Sequence, residues 1–154
     1  MVATVKDMEF MIDEYWKQKS LEQMSDEEWE NLCDGCGKCC LNKVEDYDTG
    51  ELFFTDVACK LLDLKKCRCQ SYKNRKRFVP DCQILTPKKV RRLPWLPSTC
   101  SYRLLAEGKD LPSWHHLKTG SRQSIHNAGQ SVRGRCVDER HVKDLEDHII
   151  DWIE

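Results

Sequence analysis

Four cysteines crowd eight residues of this chain, as Cys33-x-x-Cys36-x-x-Cys39-Cys40. Cys59, Cys67, Cys69, Cys82, Cys100 and Cys136 follow at a distance. The thiolate is a soft anionic ligand suited to zinc, iron or copper(I). Two cysteines separated by two residues can meet one metal ion across a tight turn, and three at that spacing followed at once by a fourth strengthen the pattern. Adjacent residues direct their side chains differently, so Cys39 and Cys40 are expected to diverge, with Cys40 serving a second site or bridging two metals. A structural zinc takes four ligands, so eight thiolates would complete two sites. The first three cysteines also match the start of a bacterial ferredoxin run. Here Cys40 follows at once and the closing cysteine-proline is missing, so a cluster would need its fourth ligand from afar.

The elements that position these thiols must come from a chain poor in apolar residues. Of 154 residues, 40% are apolar, but ten of those are cysteine, and 33% of the chain is charged. A thin core favours another source of stability, and a structural zinc contributes ~10–16 kcal/mol in small peptides. Acidic residues within the first 20 positions leave no room for a secretory signal. No apolar run is long enough for a membrane span. The chain therefore reads as soluble and cytoplasmic, where many cysteines argue for metal or redox chemistry over a disulfide framework.

Apolar residues at helical spacing predict a helix over 8–18. Ser25 and Glu28 form a capping-box pattern opening a short helix toward Leu32. Gly35 and Gly37 let the backbone turn within the cluster. Residues 41–45 and 51–54 flank Asp48-Thr49-Gly50 as a β-hairpin. Thr55-Asp56 is read as capping a helical stretch through Cys59 and Leu62. Four prolines break up the middle; Thr86-Pro87 opens a short helix to Val90, and Ser98-Thr99 another over 100–107, closed by Gly108. Residues 131–137 read as a strand, and His141 to Trp152 as an amphipathic helix. Residues 109–140 look like a loosely packed arm. The expectation is one domain over 1–154, a small, mainly helical α+β fold with one or two β-hairpins around a cysteine-ligated metal centre, its cluster core at 33–108.

Cys-Asp-Gly-Cys-Gly-Lys-Cys-Cys at 33–40, with Cys59, Cys69-Gln-Ser-Tyr72-Lys-Asn-Arg75 and Cys82, resembles the bacterial CxxCxxCC cysteine-cluster proteins, described as zinc- or iron-chelating domains. The resemblance is closest to the YcgN-like, uncharacterised branch. It extends through Trp95-Leu96-Pro97-x-x-Cys100-x-Tyr102-Arg103, Leu111-Pro112-x-Trp114-His115 and Ser131-Val132-Arg133. It implies metal binding at Cys33, Cys36, Cys39, Cys40, Cys59, Cys69, Cys82 and Cys100. Cys67 is a further candidate, and Cys136 falls outside the pattern and reads as a core residue. The gap before Cys82 is longer than in broader members. The resemblance brings no reaction.

Net charge is −1, but Lys65 to Arg92 holds eleven bases and one acid, Asp81. Two zinc ions each bound by four thiolates would carry about −4, which nearby Lys and Arg would partly neutralise. The same stretch could instead meet nucleic acid, with Tyr72, Phe78 and Trp95 stacking on bases. His115-His116 is the most suggestive histidine pair, though a polar-surface or local hydrogen-bonding role fits it better than ligation. His148 is expected to be partly buried. No catalytic constellation stands out. The leading function is zinc or iron binding without catalysis; the rivals are an iron-sulfur redox or accessory protein and a nucleic-acid-binding module.

Overall fold

A computed structural model describes residues 14–153, and the first half of the helix expected over 8–18 lies outside them. What is seen of it is one turn, α1 (Tyr15–Gln18). A 3-10 turn (Leu21–Gln23) leads to α2 (Asp26–Glu30), which opens on the expected capping box. The Ser25 Oγ accepts from the Glu28 N–H at 3.1 Å, and the Glu28 carboxylate accepts from the Ser25 N–H at 2.9 Å.

After the cysteine cluster comes the expected hairpin, β1 (Leu41–Glu45) and β2 (Leu52–Ala58), paired antiparallel with Val44 opposite Phe53. Its turn is set by Asp46, whose carboxylate accepts the Asp48 and Thr49 N–H groups, each at 2.9 Å. The register shifts between Leu41 and Lys43. Side chains fill the break: the Thr55 hydroxyl donates to the Asn42 carbonyl at 2.7 Å, and the Asn42 amide donates to the Val57 carbonyl at 3.1 Å. Thr55-Asp56 therefore does not start a helix. It continues β2, because nonlocal partners claim that stretch: β5 (Val137–Asp138) runs parallel to Val57–Ala58, and Ile149 bridges Thr55. A second hairpin joins β3 (Leu62–Asp63) to β4 (Arg68–Cys69).

The middle holds α3 (Arg75–Phe78), α4 (Pro87–Val90) and α5 (Ser101–Ala106). Thr86 caps α4 through the Lys89 N–H, and Pro87 occupies its first turn. Cys100 stands at the N-cap of α5. The chain is thus α+β, with short helices and two small sheets.

Three expectations fail toward the C-terminus. Residues 109–140 are not a loose arm: α6 (His116–Thr119) and α7 (Ser124–Asn127) pack there, and Leu111, His115, Ile125 and Val132 are buried. The strand expected over 131–137 shrinks to β5. The helix expected over His141 to Trp152 is replaced by two 3-10 turns, Glu139–His141 and Leu145–His148, and an extended end. The Ile150 N–H donates to the Phe54 carbonyl at 2.9 Å. That bond satisfies the edge of the sheet, and Ile150, Trp152 and Ile153 cover the apolar cluster beneath.

Apolar side chains gather in two clusters. Trp16, Leu21, Leu32, Val90, Leu96, Tyr102 and Leu111 form the first. Leu41, Ala58, Leu62, Cys67 and Val132 form the second. Backbone bonds from cluster cysteines reach the second group: the Val132 N–H donates to the Cys36 carbonyl at 2.9 Å, and the Cys59 N–H to the Cys40 carbonyl at 2.8 Å.

Candidate metal centre

The loop from Cys33 to Cys40 is shaped by backbone chemistry that glycine permits. Gly35 and Gly37 both take positive φ, at 76° and 77°. The Asp34 carboxylate accepts the Cys36 N–H at 3.1 Å, and the Gly37 carbonyl accepts the Cys40 N–H at 3.1 Å. The turn also aims amides at sulfur. The Lys38 N–H donates to Cys36 Sγ at 3.4 Å. The Gly35 amide bears on Cys33, the Leu61 amide on Cys59, and the Tyr102 and Arg103 amides on Cys100, each favouring the thiolate. In all four cases the amide two residues on faces the sulfur, a geometry that stabilises negative charge there.

Opposing these amides are burial and like charge. Part of Cys33 reaches solvent, yet protein surrounds its thiol closely enough that desolvation, then the Asp34 carboxylate and Cys39, holds it above the usual thiol range. Burial, then Asp34, Cys39 and Cys33, raises Cys36 as well. Cys100 is pushed up to about 12, first by burial and then, against its amides, by Cys39 and Asp34. Cys39 moves the other way, down to about 7, because it accepts a hydrogen bond from Cys40 and lies near the Lys43 ammonium. Cys40 is raised by donating that bond, by the charge on Cys39 and by burial. The adjacent thiols thus act on one another's ionisation.

Beyond that contact their surroundings differ. Cys39 acts on Cys33, Cys36 and Cys100. Cys40 feels Cys59, while Cys59 feels Cys69 and Cys82. The two groups are not isolated from each other: Cys82 also feels Cys39, and Cys40 feels Cys33. Cys69 enters from β4 and Cys82 from the turn after α3. Electrostatic influence thus links Cys33, Cys36, Cys39, Cys40, Cys59, Cys69, Cys82 and Cys100 in an overlapping chain. Among the described residues, no three His, Cys, Asp or Glu side chains already surround one point in a geometry that could hold a metal ion. The chemistry of the donor set nevertheless suits a thiophilic cation, which would replace thiol protons and offset the burial and like charge that keep most of these groups protonated.

Cys67 and Cys136 stand apart. Cys67 is buried in the second apolar cluster with φ at 56°, and burial raises its thiol. Cys136 packs partly buried against the same cluster, pushed up to about 11 by burial.

Two cations escaped the sequence reading as parts of this site. The Lys38 ammonium is buried and donates to the Thr99 hydroxyl at 2.9 Å. The Lys43 ammonium donates to the carbonyls of Leu41 and Cys39 and lies 4.3 Å from the Trp95 ring centroid. Lys38 sits inside the motif itself and was visible there; Lys43 gave no signal beyond proximity in sequence.

The histidines support the cluster through hydrogen bonds. His115 is fully buried; its Nε2 donates to the Leu32 carbonyl at 2.7 Å, and its Nδ1 accepts the Leu117 N–H at 3.0 Å. Burial brings its pKa down to about 4. His116 stacks on it, with Nε2 2.8 Å from the Asn31 carbonyl and 3.3 Å from that of Cys33. His148 pairs with Asp56 at 2.9 Å and is partly buried. The basic stretch divides its charges among separate tasks. Arg91 pairs with Glu22, Arg75 lies over the Tyr72 ring, and Lys66 and Arg68 line a cleft with Arg122 and Arg133.

Residues 32–101 match the CxxCxxCC family, described as a "Putative zinc- or iron-chelating domain". A UPF0260 protein of Gluconobacter oxydans is 54% identical over 138 residues, covering 90% of this chain and 85% of the relative. One from Shewanella oneidensis is 54% identical over 138 residues, covering 90% and 94%. One from Agrobacterium fabrum is 56% identical over 140 residues, covering 90% and 86%. No solved structure matches the chain. With this identity spread over nearly all of its length, and with the cysteine pattern in place, the chain belongs to the UPF0260 family.

Proposed function

We propose that this protein binds metal through two thiolate quartets, zinc ahead of iron. Cys33, Cys36, Cys39 and Cys100 hold one ion, and Cys40, Cys59, Cys69 and Cys82 hold the other. The observation that carries this reading is the pairing of gathered thiols with backbone amides directed at Cys33, Cys36, Cys59 and Cys100. Amides arranged in this way favour thiolates over thiols, and thiolates at this density need a cation. The role is binding rather than catalysis. Of the bases beside the cluster, His115 commits both ring nitrogens, and His116 its Nε2, to backbone groups.

Elemental analysis and a visible spectrum on anaerobically purified protein test this directly. The expected protein is colourless with about two equivalents of zinc, four ligands to each ion. A brown protein containing iron and inorganic sulfide overturns the zinc assignment in favour of an iron-sulfur centre. Cys36→Ser and Cys39→Ser should each lower metal content, whereas Cys136→Ser should leave it unchanged. Metal content unaffected in both cluster variants defeats the reading.

A further inference from the structure

We propose that a half-open cleft beside the Cys33–Cys36 loop is a binding site for a phosphate group. Its volume is about 240 Å³. Lys66 and Arg68 line it from the second hairpin, Arg122 from the loop before α7, and Arg133 from the segment after Val132. The three stretches are far apart in sequence, so the fold has brought four permanent cations together.

Gathering like charges costs free energy unless something offsets it. Among the described residues none of these four cations takes part in a salt bridge. Neither the Lys66 ammonium nor the Arg68 guanidinium makes a hydrogen bond there. Asp63 exerts some attraction on Lys66, but its carboxylate is already bonded to the Lys65 and Lys66 N–H groups. Arg122 is lowered first by burial and then by Arg68, against weaker opposing pulls from Cys33 and Asp34. Asp34 is the only acid lining the cleft, and it is buried against the Cys36 amide.

The polar geometry is partly held in place. Arg133 donates to the Lys65 carbonyl and, at 3.4 Å, to Gln123; Arg122 reaches the Cys33 carbonyl at 3.5 Å. Such contacts fix the guanidinium stems and leave other N–H groups for a ligand. Arginine forks match the paired oxygens of a phosphate, and lysine adds a mobile point charge. His126 lines the same cleft with its Nδ1 2.6 Å from the Ser131 hydroxyl, so its other nitrogen remains for the ligand. The proposal does not depend on the metal reading.

Calorimetric titration of the intact, metal-loaded protein with inorganic phosphate and with pyrophosphate, at low and constant ionic strength, tests it. Saturable binding is expected. Arg68→Ala and Arg122→Ala should each weaken it by roughly 10-fold or more, the loss of one charge-assisted hydrogen bond. Lys88→Ala, outside the cleft, should leave it unchanged. Metal content and melting temperature measured on every variant separate loss of the cleft from loss of the centre. Adding a short single-stranded oligonucleotide distinguishes the source: displacement of phosphate assigns the site to a nucleic-acid backbone, and no displacement to a small phosphate ester. No saturable heat at millimolar phosphate or pyrophosphate, or equal affinity in wild type and both arginine variants, overturns the proposal.

Discussion

The two apolar clusters hold together by different means. The first is anchored by large aromatic residues whose polar ends are satisfied. The Trp16 indole donates to Asp110 at 3.0 Å, the Trp29 indole to the Leu85 carbonyl at 3.2 Å, and the Tyr102 hydroxyl to the Trp29 carbonyl at 2.9 Å. The second has Leu41, Ala58, Leu62, Cys67 and Val132 at its centre and two-residue strands around it. Aromatic burial supplies most of what a small core can gain from water. The second cluster has no aromatic at its centre, and cluster cysteines supply two of the backbone bonds at its margin. The first region is anchored mainly by its own side chains, with Cys100 at its edge, whereas the second is expected to rely more on the proposed centre, through Cys36 and Cys40.

The largest expected effect follows from that dependence. Chelation of metal from the folded protein should cost several kcal/mol, a fraction of the ~10–16 kcal/mol measured for zinc in small peptides. Hydrogen exchange should show the loss concentrated at Val57, Ala58, Leu62 and Cys69, with amides of Leu96 and Tyr102 still protected. Uniform loss across both regions would break the comparison.

Next is the first region's own core. Leu32 is fully buried there. Leu32→Ala should destabilise by about 3–4 kcal/mol, the range for a buried leucine that leaves a cavity. Denaturant unfolding of metal-loaded protein measures it. A cost below about 1 kcal/mol would mean that the first core is not packed as described.

His115 gives a comparable effect that depends on pH. Its folded pKa is about 4, below the ordinary histidine value of 6.5. Between those values the unfolded chain binds a proton that the folded chain refuses, so stability is fully present above 6.5 and falls as pH drops. The loss approaches ~3 kcal/mol near pH 4. His115→Gln removes this contribution while keeping a group able to bond the Leu32 carbonyl. Stability curves of chelator-treated wild type and variant should therefore converge toward low pH; parallel curves would show that another group is responsible.

Legibility in the sequence divided along similar lines. The β1–β2 hairpin, the Ser25 and Thr86 caps and the helix closed by Gly108 were readable, because each is fixed by residues within a few positions. Thr55-Asp56 and His141 to Trp152 were misread because distant partners decide them: Val57 pairs with Val137, and Ile150 with Phe54. Leu111, Ile125 and Val132 are too widely spaced to announce the buried segment they anchor. At the site, the Cys33–Cys40 loop was legible from local spacing. The cleft was not, since Lys66 and Arg133 meet only through the fold.

Gly37 tests the join between the second region and the cysteine loop. A Cβ there would lie 2.8 Å from Val132 Cγ2 and 3.3 Å from the Cys67 Cβ, on a backbone at φ +77°. Gly37→Ala should cost about 2 kcal/mol from left-handed strain and forced movement in a packed cluster. Metal content should fall with it, because the Lys38 amide that faces Cys36 is carried by the same turn. Full metal retention would show that the turn can shift without disturbing the sulfurs.

The smallest effect belongs to the Ser25 cap. Ser25→Ala removes the acceptor for the Glu28 N–H but leaves the Glu28 carboxylate on the residue 25 amide and on Lys19. The expected loss is about 1 kcal/mol, or roughly 2–4 °C in melting temperature for a chain of this size. Its value lies in location. The cap belongs to the first region, yet the helix it opens leads within three residues to Cys33. If the two regions are stabilised separately, the melt shifts and metal affinity does not. A drop in metal affinity of more than a few-fold would mean that α2 positions the first ligand, and that the first region supports the centre as directly as the centre supports the second.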